Sequence, residues 1–177
     1  MKFLSTISLL IAPLASWALV VPYADTPSFY FVATSPDNST PRPVRIGPDG
    51  LYTALSGSGA AIQAYFYQGI LTGALDRSGG PIHHPFLDTK AGEGGSCTTF
   101  GQLGYSRVGY STNKCASFPQ FQIQSNSENS QLGAKLTYNY VGGFYSCGPE
   151  EMIWYKQNAH DGPQNCSPVD LYTVPVL

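Results

Sequence analysis

Residues 132–156 read LGAKLTYNYVGGFYSCGPEEMIWYK, and this stretch decides the fold class. Its first part alternates large apolar side chains with polar ones, which is the period of a β-strand with one buried face. The pairs Gly142-Gly143 and Gly148-Pro149 then interrupt the pattern, as tight turns do. The stretch therefore predicts three strands, at 132–141, 144–147 and 152–156.

The rest of the chain continues this pattern in both directions. The further predicted strands are 28–34, 43–46, 51–55, 60–67, 70–72, 103–110, 118–124 and 166–176. Segment 60–67 also fits one short helix, although its aromatic content favours a strand, and 74–95 is the least regular part. No window of twelve residues has apolar positions at helical spacing. We therefore expect an all-β protein, a single antiparallel β-sandwich or barrel cross-linked by disulfides.

The N-terminus has the composition of a secretory signal. Met1-Lys2 is followed by an apolar run, and Ser16 and Ala18 are the small residues that signal peptidase requires. We expect residues 1–18 to be a cleaved signal peptide and 19–177 to form one secreted domain. The alternative is an uncleaved anchor, but the apolar run is shorter than the roughly 20 residues of a membrane span. After cleavage we expect no membrane association.

Four cysteines follow the predicted signal, and an even number in an oxidising compartment indicates disulfide bonds. Three connectivities are possible. We expect Cys97–Cys115 and Cys147–Cys166, because each pair brackets a short segment that contains a turn. No CxxC motif is present, so the spacing does not favour zinc. The sequon at Asn38 lies among Ser and Pro residues and predicts a glycosylated loop.

Composition excludes several function classes. Only 11% of the 177 residues are charged and the net charge is −2, so the chain lacks the basic stripe of a nucleic-acid-binding protein.

A glycosidase needs two carboxylates in different environments. Glu150 and Glu151 follow a Gly-Pro turn and are interpreted as solvated turn residues. His83-His84, even with Asp88 and His160, do not have the spacing of a metal site, so we expect no catalytic residues, no metal and no cofactor.

Aromatic side chains are the remaining signal, since the chain has 12 Tyr and 9 Phe. Exposed rings on a sheet face can stack on sugar rings, and we select Tyr138, Tyr140 and Trp154 as candidates for weak polysaccharide binding. The alternative is that these rings belong to the core, where tyrosine is commonly half-buried. Neighbouring rings point to opposite faces, so one of Trp154 and Tyr155 is expected in the core.

Several motifs give the chain a resemblance to known proteins. These are FYFV at 29–32, the Gly-Phe-Tyr-x-Cys strand at 143–147, the pair Trp154-Tyr155, and Cys166 opening an alternating terminal strand. With these motifs the chain resembles small secreted fungal proteins of the phialide-type cell-wall class and related uncharacterised secreted domains, best over its C-terminal third. The resemblance implies no catalytic residues.

Together these features predict a monomeric, non-enzymatic protein of the extracellular space or cell wall. Its expected partner is cell-wall polysaccharide, and no nucleic acid or membrane is expected. Two alternatives remain open. One is a small secreted glycoside hydrolase, and the other is a host-directed effector or allergen.

Overall fold

The computed structural model describes residues 25–36, 38–74, 82–107, 111–126 and 131–176. The predicted signal peptide, residues 1–18, lies outside the described residues. So does the side chain of Asn38, the predicted glycosylation site.

Alternating sequence patterns produce strands throughout the described chain. Their bounds are β1 (Phe29–Ser35), β2 (Asn38–Pro43), β3 (Arg45–Ile46), β4 (Thr53–Ala54), β5 (Gln63–Tyr67), β6 (Ile70–Ala74), β7 (Ile82–Ala91), β8 (Cys97–Ser106), β9 (Ala116–Ser117), β10 (Phe121–Gln124), β11 (Lys135–Tyr138), β12 (Gly143–Cys147), β13 (Met152–Lys156) and β14 (Cys166–Pro175). One 3₁₀ turn, Glu93–Gly95, is the helical element of the described residues. None of these residues form a helix with the length and hydrophobicity needed to cross a membrane.

Every strand pairing is antiparallel, and the pairings form a circuit. In spatial order the circuit runs β14, β1, β5, β6, β7, β8, β13 and β12, and β12 pairs again with β14. The remaining strands extend this circuit at its margins. The expected all-β sandwich or barrel-like fold is therefore confirmed.

Two long strands belong to both halves of the fold. The strand pairings divide into two sheets: the first contains β1, β2, β5, β6, β10 and β11, and the second contains β3, β4, β8, β9, β12 and β13. β14 pairs with β12 through residues 166–169 and with β1 through residues 170–175. β7 likewise pairs first with β6 and then with β8. A strand that changes sheets in this way makes a corner of the fold.

The core lies between the inner faces of the two sheets. Both sheets contribute alternating buried side chains to it. Examples are Phe31 and Leu171 on the side of the first sheet, and Leu103 and Ile153 on the side of the second. Phe66 and Tyr155 are also buried, whereas Trp154 is half-buried on the opposite face of β13. The expectation that one ring of the pair 154–155 lies in the core is thus confirmed.

Both predicted disulfides are present. Cys97 bonds Cys115, and Cys147 bonds Cys166. The second bond joins directly opposed positions of β12 and β14. It therefore reinforces the start of the strand that links the two sheets.

Several boundaries differ from the sequence interpretation. Asn38, predicted to lie in a loop, begins β2, because residues 38–43 pair with β1. The segment 74–95, expected to be irregular, contains the ten-residue strand β7, whose pattern is masked by two histidines and by a buried proline, Pro85. The strand predicted at 103–110 begins earlier, at Cys97. The strand predicted at 132–141 ends at Tyr138, because Asn139 and Tyr140 adopt positive φ of 50° and 54° and turn the chain.

Candidate functional site

A row of four side chains crosses the outer face of the second sheet. Tyr145 in β12 is directly opposite Trp154 in β13, Trp154 is opposite Gln102 in β8, and Gln102 is opposite Asp88 in β7. Directly opposed residues of antiparallel strands project to the same face. With neighbouring strands about 4.8 Å apart, the row is about 14 Å long. We call these four residues the outer row.

Alternation within each strand fixes the direction of the outer row. The neighbours Phe144, Ile153, Leu103 and Leu87 are all buried in the core. The four residues of the outer row therefore point away from the core, and all of them are partly exposed. They form a surface with two aromatic side chains at one end and a carboxamide and a carboxylate at the other.

Asp88 is held in place by two donors. The Tyr52 hydroxyl donates to one carboxylate oxygen, and Asn113 Nδ2 donates to the other at 2.7 Å. Burial, followed by this hydrogen bond to Asp88, raises the pKa of Tyr52 above its ordinary value. Tyr52 therefore stays protonated near neutral pH, and Asp88 is a positioned hydrogen-bond acceptor.

The aromatic end of the row is supported from its sides. Phe100 lies 6.4 Å from Trp154 between ring centroids, and the Lys156 ammonium lies 5.1 Å from the centroid of Tyr145. Lys156 also donates to the carbonyl of Pro163 in the loop that follows β13. Burial lowers the pKa of Lys156. These contacts restrain the rings and so reduce the entropy that a ligand would have to remove on binding.

The structure separates the three residues selected from the sequence. Trp154 is part of the outer row. Tyr138 is only 8% exposed and packs against Phe121 and Tyr155 in the core. Tyr140 is 47% exposed but lies in the turn after β11. The two tyrosines therefore do not share an exposed strand face, and Tyr138 has the core position that the sequence left open as the alternative.

Glu151 differs from the expected solvated turn residue. Arg42 Nη1 and Nη2 contact its two carboxylate oxygens, each at 2.5 Å. The hydrogen bonds from Arg42 lower the pKa of Glu151, and the carboxylate in turn raises the pKa of Arg42. Glu150, by contrast, is exposed as expected.

The histidines do not converge. His83 is buried on the core side of β7, and burial lowers its pKa. Asp88 belongs to the opposite face of that strand, and His160 is exposed in the loop after β13. Among the described residues, no three His, Cys, Asp or Glu side chains are grouped closely enough to hold a metal ion.

Three of the four outer-row residues, and the pair Arg42–Glu151, carry no local signal or only a weak one in the sequence. Tyr145 could have been selected, since alternation in 144–147 places it opposite the apolar Phe144. Gln102 and Asp88 join the row only through strand register, which a single sequence does not reveal. The pairing of Arg42 with Glu151 spans 109 positions and has no local signal.

No family model, curated protein or solved structure matches the chain. The fold and the site define the class of the protein. It is a disulfide-bonded all-β protein with a mixed aromatic and polar outer surface. The resemblance to phialide-type fungal cell-wall proteins stays a prediction from the sequence motifs.

Proposed function

We propose that this is a secreted, non-catalytic protein of the extracellular space or cell wall that binds polysaccharide through the outer row. The observation that carries the proposal is the direct cross-strand alignment of Tyr145, Trp154, Gln102 and Asp88 on an outward face.

The chemistry of the outer row suits a glycan. Aromatic rings offer flat apolar surfaces on which the C–H face of a sugar ring packs. Gln102 supplies a donor and an acceptor, and Asp88 supplies an acceptor that is already oriented by Tyr52 and Asn113. The length of the row exceeds one sugar ring, so a polymer segment is a better fit than a monosaccharide.

The two disulfides are consistent with an extracellular protein, since such bonds persist in oxidising compartments. The predicted signal peptide points to the same location. A position in the cell wall is the finer part of the proposal, and it draws on the resemblance and on the glycan-binding surface.

The state of Glu151 supports a non-catalytic role. Glycoside cleavage requires one carboxyl group that remains protonated and a second that is ionised. Arg42 lowers the pKa of Glu151, so this group is ionised near neutral pH. Among the described residues that line the cleft around it, Glu151 is the one carboxylate.

The proposal is tested by incubating the secreted protein with insoluble chitin and insoluble β-glucan. The fraction bound and the reducing sugar released are both measured. We expect binding without sugar release. We expect Trp154→Ala or Tyr145→Ala to weaken binding about tenfold, which corresponds to about 1.4 kcal/mol.

Tyr67→Ala is the matched control, because Tyr67 is 58% exposed at the β5–β6 hairpin, away from the outer row. It should bind as the parent protein does. Tyr140→Ala tests the residue selected from the sequence alone. Unchanged binding in both outer-row variants, or sugar release abolished by Glu151→Gln, would overturn the proposal.

A further inference from the structure

A cleft of about 380 Å³ opens on the inner side of the second sheet, at the margin where β12 and β14 approach β1 and β2. Ser146 in β12 and Ser167 in β14 are directly opposed residues that line it. Because Ser146 follows Tyr145 on an extended strand, the cleft and the outer row lie on opposite faces of β12.

The cleft has an apolar floor and a polar rim. Ala33, Leu55 and Val169, all buried members of the core, form the floor. Hydroxyl and carboxamide groups surround it, from Thr34, Ser35, Thr40, Ser146, Asn165 and Ser167. Cavities of several hundred Å³ with apolar walls and a few convergent polar groups are typical of small-ligand sites.

Arg42 and Glu151 form the charged wall of the cleft. Arg42 donates hydrogen bonds from Nη1 and Nη2 to the Glu151 carboxylate. Nη2 donates a further hydrogen bond to the Leu55 carbonyl at 3.2 Å. The guanidinium carries five N–H groups, so donors remain beside carboxylate oxygens that can accept further bonds. The wall thus presents a donor next to an acceptor with no net charge.

The backbone of Glu151 is held in an uncommon conformation. Its φ is +52°, in the left-handed region that costs a non-glycine residue of the order of 1 kcal/mol. Its N–H donates to the Gly148 carbonyl, and its carbonyl accepts from the Leu55 N–H. These bonds fix the Glu151 backbone in the turn between β12 and β13, and the two bonds from Arg42 orient its carboxylate.

We propose that this cleft binds one neutral sugar unit, such as the end of a glycan chain. Two neighbouring hydroxyls of a sugar each donate and accept, which matches the adjacent donor and acceptor of Arg42 and Glu151. An anionic ligand would be repelled by the Glu151 carboxylate, and a cationic ligand would be repelled by the Arg42 guanidinium. The apolar floor accommodates the C–H face of the ring.

This proposal does not rest on the proposed function, because the two surfaces use different faces and different residues. To test the proposal, the secreted protein is titrated with methyl β-glucoside and with the methyl glycoside of N-acetylglucosamine. Saturation-transfer NMR measures the binding of each glycoside. Glucuronate and glucosamine are the charged comparators. We expect one of the neutral glycosides to bind more tightly than its charged counterpart.

Glu151→Gln should weaken this binding about tenfold, the effect of losing a hydrogen bond to a charged group. The double variant Ser146→Ala/Ser167→Ala leaves the charged wall intact and should also weaken it. Trp154→Ala should leave the affinity for the monosaccharide unchanged while reducing retention on insoluble glycan.

The proposal is overturned if no neutral glycoside gives saturation transfer, or if glucuronate binds more tightly than the neutral sugars. It is also overturned if Glu151→Gln and the double serine variant both retain full affinity. Loss of monosaccharide binding in Trp154→Ala alone would assign the sugar to the outer row instead.

Discussion

Arg42 and Glu151 lie 109 positions apart in the chain, and both bind the backbone of Leu55 as well as each other. Arg42 donates to the Leu55 carbonyl, and the Leu55 N–H donates to the carbonyl of Glu151. The ion pair therefore joins β2 of the first sheet, the segment after β4 and the turn before β13. It is a cross-link at the margin of the two sheets.

This ion pair should make the free energy of unfolding decrease as the pH falls in the acid range. Arg42 lowers the pKa of Glu151 below its usual value of 4.5. A carboxyl group whose pKa is lower in the folded than in the unfolded state stabilises the protein at pH values above its unfolded-state pKa. This stabilisation is lost as the pH falls through its folded-state pKa. The two side chains are 39% and 34% exposed, so solvent limits the contribution to roughly 0.5–1 kcal/mol.

The measurement is the difference in unfolding free energy between the parent protein and Glu151→Gln, from urea titrations at pH 7 and below pH 4. We expect the difference to shrink at the acid end. Asp161 also has a lowered pKa and titrates in both proteins, so its effect cancels in the difference. A difference that stays constant across this range would contradict the prediction.

Local pattern predicted the fold class because sheets with one buried face impose a period of two. Met152–Lys156 and Cys166–Pro175 follow the predicted bounds closely, since their apolar positions alternate cleanly. β7 was missed because His83 and Pro85 are buried there, which the usual preferences of these residues do not suggest. The sheet change within β14 depends on pairing partners and leaves no mark in the sequence.

The candidate site was less predictable than the fold. Trp154, one of the three residues selected from the sequence, lies on the outer face, but its partners in the outer row are neighbours only through register. Tyr138 and Tyr140 have the right spacing for one face of a strand, and the left-handed conformation at Asn139 and Tyr140 ends that strand after Tyr138. Register and turn geometry are cooperative properties of the folded sheet.

The β5–β6 hairpin offers a stabilising substitution. Gln68 and Gly69 form its two-residue loop with φ of 49° and 77°, the signs that a type I′ turn requires. Asparagine is favoured over glutamine at the first position, so Gln68→Asn should raise the free energy of unfolding by up to about 1 kcal/mol. The backbone bond from Gln68 N–H to Asp25 Oδ1 at 2.6 Å is available to either side chain.

For a domain of this size, the gain corresponds to roughly 2–4 °C in thermal midpoint. Gln68→Ala is the control, because alanine keeps the conformational cost and lacks the local hydrogen bonding of asparagine. A thermal midpoint for Gln68→Asn that does not exceed that of Gln68→Ala would argue against the turn assignment.

Gly101 should be intolerant of any side chain because β7 passes too close to it. It is paired with Thr89, and a methyl group at this position would lie 2.7 Å from Thr89 Cγ2 and 2.9 Å from the backbone of Asp88. Backbone atoms cannot move aside as a flexible side chain can, so Gly101→Ala should cost roughly 1–3 kcal/mol. The matched control is Gly143→Ala in β12, where a methyl group would meet no atom within 4 Å. We expect chemical denaturation to show a loss for Gly101→Ala and almost none for Gly143→Ala. Equal stability of the two variants would refute the close packing of β7 on β8.

Gly101 adjoins Gln102 and lies opposite Thr89, the neighbour of Asp88. Gly101→Ala should therefore also weaken retention on insoluble glycan.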